Sequence, residues 1–167
     1  MFVIPGSAQA YGHVFVNFAE IDMDSCTLVD GHMSVGRLSD GTCAAHHGAS
    51  GPVRSASLFA DDANSQAVSV DMIASRAVAW LDFHPYDEIL FVADIENDGD
   101  TIYVDVWKEA PSPLFWTHVG VFRPPGTSAE QDILRRNLSI PDGDLISFTI
   151  YDDAGLTDLI GHFLGVA

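Results

Sequence analysis

Aspartates arrive in clusters along this chain. Asp22 and Asp24 flank a methionine, and Asp61 and Asp62 are adjacent, with Asp71 just beyond. Asp94, Asp98 and Asp100 surround a turn dipeptide, and Asp152 and Asp153 precede Asp158. Calcium takes six to eight oxygen ligands at once, so carboxylates in sets are the chemistry it requires. Where two or three such clusters meet, their like charges repel unless a cation joins them. Calcium is therefore the expected cofactor. The competing role of each aspartate is local, since Asp caps turns through its own side chain.

Other chemistries are less well served. His46 and His47 are adjacent, with Asp40 upstream as a third candidate for zinc, and Cys43 offers a thiol near both histidines. Nucleophilic catalysis needs such a thiol or a serine held beside a base. The Gly-x-Ser-x-Gly elbow, the His-Glu-x-x-His pair and a phosphate-binding glycine loop are all absent from the sequence. Carboxylate pairs for glycoside hydrolysis are plentiful, but nothing in their spacing selects one pair. Cys26 and Cys43 match no zinc spacing. They are either two reduced structural thiols or one disulfide, with a buried thiol the default for Cys26 in its alternating apolar run.

Charge narrows the partners. Asp and Glu number 24 against 7 Lys and Arg, a net charge of −17, and Lys108 is the sole lysine. Such a field repels nucleic acid and anionic membranes. It favours cations, basic partners and hydration water, and it also suits adaptation to high salt. The 167 residues are 47% hydrophobic and only 19% charged, which fits one folded domain over residues 1–167 and argues against disorder. No apolar run is long enough to span a bilayer as a helix. Met1 to Ala10 lacks a positive n-region and a long apolar segment, so no secretory signal is expected there. A cytoplasmic or virion-associated location is the expectation.

These side chains must be positioned by strands. His13–Phe18, Ser25–Val29, Ala67–Met72, Thr101–Trp107, Phe115–Phe122 and Leu145–Tyr151 carry alternating or β-branched and aromatic patterns. Glu88–Ile95 is apolar enough to be a central strand, and with Thr101–Trp107 it predicts a hairpin about Asp98-Gly99. Asp30-Gly31 predicts a second hairpin, with His32–Gly36 as the return strand. Ser39–Asn64 reads as a long irregular excursion holding a short strand within Val53–Phe59. Ile73, Ala77, Trp80 and Leu81 share a helical face, which predicts a short helix over 73–81. Ser128 with Gln131 forms a capping-box pattern, which predicts a helix over 129–137. Leu156–Val166 is strand or helix. The sum is mainly β: an antiparallel β-sandwich of about eight strands with one or two short helices.

Several stretches resemble the TerD-like family of tellurite-resistance and calcium-binding stress proteins. The Asp-x-Asp strand entry Ile21–Val29, Val68–Met72, the central stretch Pro85–Ile95 and Thr127–Glu130 follow the family's order over about a third of the chain. The resemblance implies a β-sandwich acting in stress responses, with Asp22, Asp24, Asp61 and Asp62 as calcium ligands. Separately, Leu90–Gly161 is similar to the calcium- and lipid-binding domain of synaptotagmins, which implies ligands at Asp152, Asp153 and Asp158. Asp94, Asp98 and Asp100 complete the weaker candidates.

The expected function is thus a non-enzymatic calcium-binding module. The alternative is a structural subunit of a larger assembly, a virion or surface layer, associating with itself or a protein partner through exposed apolar strands such as Leu114–Phe122. A hydrolase is the minor alternative. Asn137-Leu138-Ser139 matches a glycosylation sequon.

Overall fold

The computed structural model describes residues 14–47, 56–96, 101–109, 115–126 and 131–167. These residues form thirteen strands and one 3-10 turn, Tyr86–Glu88. In chain order the strands are β1 (Phe15–Asp22), β2 (Thr27–Gly31), β3 (Ser34–Arg37), β4 (Cys43–His46), β5 (Ala56–Phe59), β6 (Gln66–Ile73) and β7 (Ala77–His84). There follow β8 (Ile89–Asp94), β9 (Tyr103–Glu109), β10 (Trp116–Phe122), β11 (Asp132–Asn137), β12 (Leu145–Tyr151) and β13 (Leu159–Val166). All pairings are antiparallel.

The large sheet runs β10-β9-β12-β13-β6-β7-β8-β11, with β1 also paired along β6 and β2 beyond it. It curls over one core, and the expected sandwich architecture is present. Val68, Val70 and Met72 of β6 and Leu81 and Phe83 of β7 meet Val104 and Val106 of β9 and Ile146, Phe148 and Ile150 of β12. Phe83 and Phe148 face each other across the interior at 5.1 Å between ring centroids. Burying such a side chain contributes about 1.5–3 kcal/mol. The small sheet, β3-β4-β5, lies on the outer side of β6 and β7. A second apolar cluster sits beneath it, built from Ile21, Met23, Met33, Ala45, Phe59 and the Cys26–Cys43 pair.

Four sequence expectations are corrected. Ile73–Leu81 is not a helix: a turn at Ala74–Arg76 joins β6 to β7, with the Ala74 amide donating to the Arg76 carbonyl at 2.9 Å. Strand β7 is buried on both faces, so its period-two alternation is erased and its apolar run coincides with a helical period. The second predicted helix is β11, an edge strand on β8, over Asp132–Asn137. The hairpin expected between Glu88–Ile95 and Thr101–Trp107 does not form, because β8 pairs with β7 and β11 while β9 pairs with β10 and β12. Its turn, Asp98-Gly99, lies outside the described residues. Strand β2 turns back onto β1 rather than pairing with β3, which belongs to the small sheet. Gly31 makes that crossing possible. Its φ is +116°, and a Cβ there would lie 2.2 Å from the Phe18 carbonyl oxygen.

Candidate functional site

The strand registers sort the aspartate clusters onto two rims. The end of β1, the start of β6, the start of β12 and the end of β13 lie together, since Asp22 pairs with Gln66, Gln66 with Val166 and Val166 with Leu145. Asp22, Asp24, Asp61 and Asp62 all belong to this rim. The β1–β2 turn and the loop before β6 are tied by two hydrogen bonds. The Asn64 amide donates to Asp24 Oδ1 at 3.0 Å, and the Met23 amide to the Ser65 carbonyl at 3.1 Å. Asp22 is occupied locally, accepting from the Ser25 amide at 3.0 Å. Arg37 reaches the same turn, donating to the carbonyls of Met23 and Asp24 at 3.1 and 2.8 Å and lying 3.8 Å from Asp61.

The rim is charged beyond those four residues. Partial burial raises the Asp62 carboxyl above its ordinary range, and the negative charges of Asp142, Asp61 and Asp24 raise it further. Glu88 is raised for the same reasons, burial first and then Asp142, Asp87 and Asp62. Carboxylates from four connections therefore share one field. Among the described residues no three His, Cys, Asp or Glu side chains are already gathered as a ligand set.

The other candidates lie at the opposite rim, where Tyr151 of β12 meets Tyr103 of β9 and Asp94 ends β8. Asp153 accepts from the Gly155, Thr157 and Asp158 amides and the Thr157 hydroxyl, which lowers its carboxyl below the usual range. It organises its own loop. Asp152 and Asp158 are linked through the backbone, Asp152 N–H to Asp158 carbonyl at 2.9 Å. Asp94 accepts from the Glu96 amide at 3.0 Å and faces Asp132 across the β8–β11 pair. Asp98 and Asp100 lie outside the described residues.

No protein-family model, no curated protein and no solved structure matches the chain.

The structure also gathers a group that the sequence reading did not assemble. His47 follows β4, and its Nδ1 is hydrogen-bonded to Asp71 Oδ2 of β6. Its Nε2 lies 2.9 Å from Ser57 Oγ of β5. Ser57 Oγ in turn lies 2.8 Å from Asp82 Oδ2 of β7, and Ser69 Oγ lies 2.7 Å from Asp82 Oδ1. All five side chains are buried. The one signal in the sequence was polar residues inside apolar strands: Ser69 and Asp71 two apart in β6, and Asp82 in β7. Serine, histidine and aspartate here stand in the order of a hydrolytic triad. The serine has further partners that a free nucleophile would lack. Ser57 and Ser69 lie 3.2 Å apart and both reach Asp82, so Ser57 is tied to the Asp82 carboxylate and to Ser69 as well as to the imidazole, and it is buried. The arrangement is a clamp between the small sheet and the large one.

The zinc and thiol alternatives come apart. Cys43 is disulfide-bonded to Cys26 and presents no thiol. His46 ends β4 while Asp40 precedes its start, and Asp40 is engaged by the Thr42 amide at 3.0 Å. Asn137 of the sequon donates through Nδ2 to the Asp87 carbonyl at 2.7 Å and accepts from Ser139.

Proposed function

We propose that this chain is a β-sandwich module that acts by binding, without catalytic chemistry of its own, and that it takes up calcium at the rim carrying Asp24, Asp61 and Asp62. One observation carries the reading. Two loops far apart in sequence are hydrogen-bonded to each other, and burial together with repulsion from neighbouring carboxylates, Asp142 first, raises Asp62 and Glu88. A divalent cation relieves that repulsion with the hard oxygen ligands that calcium prefers. Asp24, Asp61 and Asp62 are three of the four ligands that the TerD-like resemblance implies, and a role in stress responses would follow from the same likeness. Arg37 partly neutralises the Asp24–Asp61 side, so the ion is expected to sit toward Asp62.

Calorimetric titration tests this directly. The expected dissociation constant is on the order of 0.1–1 mM, the range of exposed extracellular calcium sites. Asp24→Asn with Asp62→Asn should abolish the heat while leaving the circular dichroism spectrum unchanged. No heat from the native chain up to millimolar calcium would sink the reading.

A pH dependence follows. Asp62 and Glu88 have folded-state pKa values above their ordinary ones, so each holds its proton more readily in the fold than in the unfolded chain. The fold gains stability from them as pH falls through the raised values and loses it as pH rises through them. Calcium needs both groups ionised. Binding should therefore weaken just above the ordinary carboxylate range, at a higher pH than a site of ordinary carboxylates would show. Titrations at stepped pH check it; an affinity unchanged until the ordinary range is reached would contradict it.

A further inference from the structure

We infer that β10 is the seam through which two copies of this chain associate, edge to edge and antiparallel. Strand β10 begins the order of the large sheet and, among the described residues, pairs only with β9. Among the described residues no strand neighbours its other side, which presents backbone N–H and C=O groups. Edge strands are commonly guarded by charged side chains. The opposite edge, β11, follows that practice with Asp132, Arg135 and Arg136. Strand β10 has no residue of full charge: it reads Trp-Thr-His-Val-Gly-Val-Phe.

Acids are absent beyond the strand as well, though Arg123 directly follows it. Of the 167 residues 24 are acidic, about one in seven, so a twenty-residue stretch would carry roughly three; residues 110–129 carry none. The described part of this stretch exposes apolar surface instead. Phe115 is 67% exposed, Trp116 46% and Val121 44%, and Trp107 of the neighbouring β9 is 37% exposed. Two acids of β9 border the strip, Glu109 opposite Trp116 and Asp105 opposite Val121, and Asp105 is engaged on both oxygens, by Trp107 Nε1 at 2.9 Å and His118 Nε2 at 2.7 Å. The Trp107 and His118 rings lie against each other, 4.7 Å apart. The face is thus apolar and locally fixed.

Charge selects the occupant. A basic partner is drawn to the acidic rims, not to a strip without carboxylates. A second copy carries the same −17 and is repelled from most of the surface. It can approach closely where neither molecule presents an acid, and a two-fold axis beside β10 sets one acid-free strip against the other. An isologous contact of this kind is self-complementary and closed. A register centred on Val119 puts Trp116 of each copy opposite Phe122 of the other. The β-bulge between His118 and Gly120 interrupts the hydrogen-bond run, so the seam is short and the association reversible.

Sedimentation velocity on the full chain, from about 1 µM to 1 mM, provides the test. The expected result is a mass rising with concentration from 18.0 kDa toward twice that value. Trp116→Glu and Val121→Glu should each hold the chain at the monomer mass with unchanged circular dichroism. Added salt should strengthen the dimer, because it screens like charge. Hydrogen exchange needs no variant: the β10 amides facing away from β9 should slow as concentration rises. A monomer throughout, a dimer indifferent to both glutamates, association weakened by salt, or β10 exchange that ignores concentration would each overturn the inference.

Discussion

Replacing His47 by alanine is expected to lower the free energy of unfolding by roughly 3–5 kcal/mol, the usual cost of breaking a buried charged or hydrogen-bonded pair from one side. The substitution removes the imidazole that joins Asp71 on β6 to Ser57 on β5. Both groups lose a hydrogen-bond partner in a region closed to water, and a buried polar group that loses its partner is costly. Ser57→Ala should cost less, about 1–3 kcal/mol, because it removes a donor to Asp82 while Ser69 still donates there. The His47→Ala, Ser57→Ala pair should be non-additive, since the two side chains touch. Denaturant midpoints for the two single variants and the double variant measure all three quantities. A His47→Ala protein within 1 kcal/mol of the native one, or strict additivity, would show that the clamp does not hold the sheets together. The same variants separate the structural role from a hydrolytic one. A clamp predicts that Ser57→Ala changes stability and that the native serine resists acylation by fluorophosphonate probes; labelling abolished by Ser57→Ala would instead reveal a nucleophile.

The second large effect belongs to Cys26 and Cys43. Their bridge spans a sequence separation of 17 and ties the β1–β2 turn to β4 of the small sheet. Closing a loop of that length stabilises by about 3 kcal/mol in the chain-entropy treatment. For a domain of this size, that corresponds to a melting temperature lower by roughly 6–12 °C in a Cys26→Ala, Cys43→Ala protein. Both cysteines are buried in the second apolar cluster, so the double substitution is a cleaner probe than added reductant. Cys26 also adopts φ 51°, a left-handed conformation uncommon for a non-glycine residue, and the bridge helps hold it. An unchanged melting temperature would mean that the small sheet is held by the His47 clamp and the Phe59–His84 ring contact instead, which lie 4.7 Å apart at the rings. Disulfides of this kind persist in oxidising compartments.

How much of this was legible in the sequence depends on which face of a strand is buried. Leu145–Tyr151 was bounded correctly as β12 because its alternation records one core face and one outer face. Strand β6 kept its alternation and was read as Ala67–Met72, but β7 hides the signal, since the small sheet covers what would have been its solvent face. The polar residues on that covered face, Ser69, Asp71 and Asp82, look like ordinary surface positions until β5 and His47 are laid over them. Topology was less legible still. Asp-Gly dipeptides signal turns, yet Gly31 closes β2 onto β1, where β3 had been expected as its partner. Local turn chemistry fixes where a chain reverses, not which neighbour it finds. The aspartate clusters were visible as types and spacing. Their division between two rims follows only from the registers of β1, β6, β12 and β13.

The pairing order also bears on how the chain comes off the ribosome. Strand β1 lies against β6, and the amide of Leu164 in β13 donates to Glu20 of β1 at 2.7 Å, across 144 residues. Burial raises the Glu20 carboxyl, while that amide opposes the shift. An early strand is thus completed by a much later one, and β6, between them, cannot be fully enclosed until β13 arrives. Sheets dominated by such distant pairings fold slowly, on the order of milliseconds to seconds. During that interval β10 is already made, uncharged and open along one side. The edge proposed for association in the folded molecule is, in the nascent one, a template for premature pairing.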